Sequence, residues 1–119
     1  MWASGITGIM SGQSPNCIKI YIVVTLLELM DITWDDRKAE ANLKKHGISF
    51  EEAVTVVLNP LSLVAPNDHS SHKRYEYLGH STLGRVLYIV TIEKNDSEIR
   101  IISARKATAH EKIRYEEGI

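Results

Sequence analysis

The chain is 119 residues long, 44% hydrophobic and 24% charged, the size and balance of one globular domain, which excludes a wholly disordered or fibrous chain. Fourteen Lys and Arg against 15 Asp and Glu leave a net charge of −1, which argues against a polybasic protein that coats nucleic acid by charge alone. One cysteine, Cys17, excludes an internal disulfide framework and a cysteine-rich zinc site, so the expectation is a small, reduced, cytoplasmic domain.

Residues 1–29 differ from the rest. Small residues as far as Pro15 give way to an apolar run over 18–29, interrupted by Lys19 and Glu28. That run is shorter than the roughly 20 apolar residues of a membrane span. No Lys or Arg precedes it, and Leu29-Met30-Asp31 is not a small-residue cleavage sequence, so a signal peptide is not expected. Two readings stand side by side: an extra β-branched strand packed on the domain, or an extension upstream of a natural start at Met30. In either case 30–119 reads as the domain proper. High β-propensity and few charges also make the run an aggregation liability.

From Met30 onward, 31–34 alternates polar and apolar and predicts a short edge strand. Asp35 caps a helix running to about His46, which Gly47 closes in a left-handed conformation. Its apolar stripe, Ala39 and Leu43, is narrow. Ser49 and Glu52 form a capping box, and Phe50, Ala53, Val54, Val57 and Leu58 then share one helical face until Asn59-Pro60 ends it. Four strand-like runs follow at 61–65, 73–79, 86–93 and 98–104. Their separators are too short for crossover helices, so an antiparallel meander is expected, with 86–92 as a central strand apolar on both faces. Thr108 and Glu111 form a second capping box opening a last helix that carries Ile113 and ends near Glu117. The fold class is α+β: two helices, a small antiparallel sheet, then a C-terminal helix.

The sequence has no Gly-rich phosphate loop, nucleophile elbow or dinucleotide fingerprint. Between His69 and Arg114, nine Lys or Arg stand against five acids, together with four of the five histidines. A locally basic surface of this kind suits a phosphate-bearing partner. Strict alternation over 99–106 puts Arg100, Ile102, Ala104 and Lys106 on one face and Ile101, Ser103 and Arg105 on the other. Arg105 and Lys106 then stand beside the helix N-terminus at Thr108, as an anion site or simply as surface cations near an ordinary cap. Arg74, Glu76, Leu78 and His80 share a strand face, as a phosphate grip with a base and an acid or as a surface salt-bridge cluster. Asp68, His69 and His72 offer at most three metal ligands in a turn-rich loop, or are merely solvated. His46, closing the first helix, suits the helix dipole when protonated.

The combination is more specific than its parts. Trp34-Asp35, Asn42-Leu-Lys-Lys-His46-Gly-Ile-Ser-Phe50-Glu-Glu-Ala53, Asn59-Pro60, Arg74-Tyr-Glu-Tyr-Leu-Gly79-His-Ser81, Ile99-Arg-Ile-Ile-Ser-Ala-Arg105-Lys-Ala-Thr108, Glu111 and Tyr115-Glu116 together resemble the BrnT family, over about residues 31–117. That resemblance implies a RelE-like fold and a cytoplasmic toxin that cleaves RNA without metal or other cofactor, halting translation. It implies a cognate BrnA antitoxin as partner, DNA contacts only through the toxin–antitoxin complex, and no membrane. RNA cleavage by the 2′-OH then needs a base, an acid and cations. Glu76 or His46 is assigned as base, His80 as acid, and Arg74, Arg105 and Lys106 as phosphate stabilisers, with Lys45 and Arg100 as further phosphate contacts. The chain departs from the family pattern twice: His80 stands where an arginine is usual, and His72 where a glutamate is usual. Histidine retains cationic and acid–base capacity near a pH of about 6.5. The rival classes are a degenerate module that binds antitoxin or RNA without cutting, and a metal-dependent nuclease built on Asp68, His69 and His72.

Overall fold

The structure, a computed structural model, describes residues 6–10, 19–24, 29–67, 73–95 and 97–118. Its elements are β1 (Ile6–Met10), β2 (Lys19–Val24), β3 (Leu29–Trp34), α1 (Asp36–His46), α2 (Phe50–Val57), β4 (Leu63–Asn67), β5 (Arg74–His80), β6 (Val86–Asn95), β7 (Glu98–Lys106) and α3 (Ala109–Glu117). The strands form one sheet in the order β1-β2-β3-β7-β6-β5-β4. The segment β4 to β7 is the expected antiparallel meander. In contrast to the expected edge position, β3 lies inside the sheet, paired antiparallel to β2 and parallel to β7. A parallel pair needs a long connection, and here the connection is both helices plus the whole meander, which no local pattern discloses.

Local chemistry sets the helix ends. Asp35 accepts a hydrogen bond from the Arg37 N–H at 2.8 Å, and Gly47, at φ 73°, closes α1 with its N–H on the Leu43 carbonyl. The Ser49 hydroxyl accepts from the Glu52 N–H at 3.0 Å, but the second half of that expected capping box is missing. The Glu52 carboxylate turns instead to Ser81 and Arg85, a charged and therefore stronger set of donors than one backbone amide. At α3 the box is complete, with Thr108 and Glu111 each bonding the other's backbone N–H.

The core lies between α2 and one face of the sheet. Ile32, Trp34, Ile48, Phe50, Ala53, Val56, Leu87, Ile89, Ile101 and Ala104 are essentially sealed from solvent. The Trp34 ring meets Phe50 edge to face, 6.1 Å between centroids. Gly79 is required there: a Cβ on it would fall 2.2 Å from the Ser62 hydroxyl and 3.1 Å from the Ser62 backbone.

α1 packs only half of its apolar stripe: Ala39 lies against the core, whereas Leu43 is half exposed and the buried residue of the helix is Asn42. β3 pairs with β7 only as far as Arg100, leaving the next stretch of that edge open. Asn42 fills it: its amide donates to the carbonyls of Ala104 (2.8 Å) and Ile48 (2.9 Å), and its side-chain oxygen accepts from the Ala104 N–H (3.1 Å). A side chain thus replaces a missing strand. Replacing Asn42 by alanine leaves three buried backbone groups unpaired and is expected to cost about 1–3 kcal/mol, measurable as a lower denaturant midpoint.

Candidate active site

The face of β4–β7 turned away from α2 gathers most of the polar side chains singled out in the sequence. Pairing of Arg74 with Ile92, Glu76 with Val90, Leu78 with Tyr88 and His80 with Val86 places this β5 set on the outer face with Tyr88 of β6. Strict alternation fails on β7. Its register against β6 shifts at Val90/Thr91, pairing Ser103 with Val90 and Ile101 with Thr91 and leaving Ile102 as the bulged residue. The bulge moves Arg100 to the outer face with Ser103 and Arg105, and turns both Ile101 and Ala104 into the core, reversing the expected grouping of Arg100 with Ala104 and Lys106.

Arg105 is the best-anchored cation of this face. Its guanidinium forms a two-pronged ion pair with Glu111 of α3, both bonds at 2.9 Å, and its carbon lies 4.2 Å from the centre of the Tyr88 ring. The hydrogen bond from Arg105 holds the Glu111 carboxyl below the usual carboxylate range, against the opposing effect of burial. On the other side of the ring, Glu76 lies within electrostatic reach of the Tyr88 hydroxyl and accepts from the Asn67 amide at 2.6 Å. The order Glu111–Arg105–Tyr88–Glu76–Asn67 therefore crosses five elements as one polar series.

Burial, then the nearby Glu76 carboxylate, push the Tyr88 phenol up to about 12. Because the folded state favours the neutral phenol, its stabilising contribution is complete below an ordinary tyrosine pKa of about 10 and is lost as pH rises toward about 12. Ultraviolet titration of the chain against Tyr88→Phe is expected to isolate one phenol that ionises last; a normal value for the missing phenol excludes this arrangement.

The other nominated residues are distributed more widely. Arg74 shares the outer face, half buried, and its Nε has no hydrogen-bond partner among the described residues. His80 lies exposed at the end of β5, its ring 5.2 Å from that of Tyr115 on α3. Lys106 pairs with Leu87 and, with His80, Arg85 and Lys112, lines a polar cleft at that end of the sheet. Arg100 turns toward Glu98 and Thr33. His46 and Lys45 lie with Ile102 and Ser103 in a groove along α1 that shares no residue with the cleft at Glu76 and Glu111. Asp68, His69 and His72 lie outside the described residues. The sequence pattern does not single out Tyr88 or Glu111 as site residues. Tyr88 could have been found by its alternation against Leu87 and Ile89, whereas Glu111 was visible only as a cap.

Residues 34–111 match the family described as the ribonuclease toxin, BrnT, of type II toxin–antitoxin systems. Among solved structures, the chain is similar to the crystal structure of the Brucella abortus ribonuclease toxin BrnT, with a TM-score of 0.52 and 21% identity, covering 63% of this chain and 92% of that one. No curated protein gives a significant match. Among the described residues, no helix is long and apolar enough to cross a membrane.

Proposed function

Because this chain belongs to the BrnT family of ribonuclease toxins of type II toxin–antitoxin systems, we propose that it is a cytoplasmic endoribonuclease that cuts RNA without a metal ion, stops translation, and is neutralised by a BrnA-like antitoxin. The observation that carries the reading is the placement of Arg105 and Glu76 on either side of Tyr88 on one sheet face. A carboxylate has lone pairs to spare beyond the one the Asn67 amide meets, so Glu76 takes the 2′-OH proton in preference to His46, whose groove lies elsewhere. The 2′-oxygen attacks the adjacent phosphorus, and Arg105, assisted by Arg74, stabilises the negative charge that grows on the phosphoryl oxygens. His80 protonates the departing 5′-oxygen, with Lys106 beside it in the cationic cleft. Lys45 and Arg100 serve the flanking phosphates. DNA is reached only through the antitoxin complex.

The test is induction of the chain in a bacterium without its partner, with purified protein assayed on RNA in excess EDTA. Growth arrest, fragmented RNA and undiminished cutting in chelator are expected. Cutting abolished by EDTA and restored by a divalent ion overturns the metal-free mechanism. RNA bound but never cut, with the chain folded, identifies a module that binds without catalysis.

A further inference from the structure

A cavity of about 200 Å³ opens on the outer face beside Arg105, and its lining is chemically split. Leu63 and Ala65 of β4, Leu78 of β5 and the Tyr88 ring make apolar walls, while Glu76, Glu111 and Arg114 supply its polar groups. Register explains the walls: Leu63 pairs with Leu78 and Leu78 with Tyr88, so these side chains share one face. Leu78 is buried there although it lies outside the core cluster, and no residue of α3 is buried. The volume falls below the roughly 300–1,000 Å³ of pockets that hold drug-sized ligands and suits one ring system.

Resting on the ribonuclease reading, we infer that this cavity receives a single unstacked nucleobase of the RNA strand next to the bond being cut. Two carboxylates repel a phosphate, and the apolar walls disfavour a charged group of either sign. A flat heterocycle with N–H donors on its edge meets the opposite reception. Its face covers Leu63, Ala65 and Leu78, its edge donates to Glu111 so that Glu76 stays with the 2′-OH, and the Arg114 guanidinium can stack or donate from the rim. Single-stranded RNA is read in this way, by bases splayed onto aromatic and guanidinium planes and bonded on their edges. The cations follow the complementary division. Arg105 lies next to the cavity through its partners Tyr88 and Glu111, and His80, Arg85, Lys106 and Lys112 line the separate polar cleft. The backbone phosphates follow the cations and one base turns into the cavity. Leu63, Ala65, Leu78 and Arg114 are thereby assigned to base selection, a role separate from the chemistry.

The experiment uses RNA oligomers carrying fluorescent 2-aminopurine beside the cleavage site, and an otherwise identical oligomer abasic at that position. Ala65→Phe fills the cavity from an exposed position on a strand, where phenylalanine is well tolerated. With the unmodified chain, the fluorescence is expected to change on binding and the base-bearing oligomer to bind about tenfold more tightly than the abasic one, the usual worth of one stacked base. Ala65→Phe is expected to abolish both differences, binding the base-bearing and abasic oligomers equally, with its melting curve showing that it is folded. Arg114→Ala reports on the same difference without filling space. Equal affinity of the unmodified chain for both oligomers overturns the assignment, as does a difference that survives in both variants. So does an Ala65→Phe chain that loses only its antitoxin, since the cavity then belongs to a protein partner. A base-dependent signal without cleavage sinks the ribonuclease reading and leaves the pocket standing; cleavage without the signal does the reverse.

Discussion

Replacing Arg105 by alanine is expected to lower the rate of RNA cleavage by about 10²- to 10³-fold, the usual loss when one preorganised donor to a developing oxyanion is removed. The effect is expected to fall on kcat rather than on RNA affinity, because backbone binding is shared among many cations whereas the charge that grows in the transition state meets this guanidinium. Lysine in the same place restores charge without the two-pronged grip on Glu111 or the flat contact with Tyr88, so only part of the rate is expected to return. Folding gives little ambiguity. The Arg105 and Glu111 side chains retain 33% and 16% of their exposure, and a partly solvated pair of this type contributes at most about 1 kcal/mol. Single-turnover cleavage and a thermal melt on each variant decide the matter. Unchanged cleavage in the alanine variant moves the phosphate to the cleft of His80, Arg85, Lys106 and Lys112.

Trp34→Ala is expected to destabilise the domain by about 3–5 kcal/mol, the range for deleting a large buried aromatic side chain. Trp34 is 1% exposed, and its ring meets the fully buried Phe50 edge to face. It also stands at the turn from β3 into α1, so the loss of packing is felt where the chain leaves the sheet. Against a typical total of about 5–15 kcal/mol, such a loss leaves a marginal protein. Chemical denaturation followed by circular dichroism is expected to show a much lower midpoint with an unchanged slope. A shift below about 1 kcal/mol would mean that the surrounding side chains collapse into the space more completely than such cores usually do.

How far the sequence discloses this arrangement depends on the range of each interaction. Asp35, Gly47, Ser49, Thr108 and Glu111 act on residues two to six positions away, so both ends of α1, the start of α2 and the box on α3 are legible as local chemistry. The meander is legible because its turns are short. Three features depend on partners far along the chain and leave no local mark. The parallel join of β3 to β7 needs the whole intervening chain. The Asn42 clamp on Ala104 spans 62 positions, so an asparagine reads as surface when it is the buried residue of its helix. The bulge at Ile102 breaks a period-two pattern that the residue types alone satisfy in either register. Of the candidate site, Arg74, Glu76 and Arg105 could be placed on strands by pattern, but only the assembled sheet brings the Tyr88 ring between Arg105 and Glu76 and parts His46 from both.

The Glu111 carboxylate clamps Arg105 with both oxygens and completes the cap of α3 with one of them. A helix of nine residues has almost no population of its own in water. The helix–coil equilibrium of α3 and the orientation of the Arg105 guanidinium are therefore one linked equilibrium rather than two. A ligand that draws the guanidinium toward an incoming phosphate withdraws part of the helix cap, and a protein that grips the helix sets the guanidinium from a distance. In thermodynamic terms, substrate and helix-binding partner are coupled through a single carboxylate, with no change required in the sheet beneath.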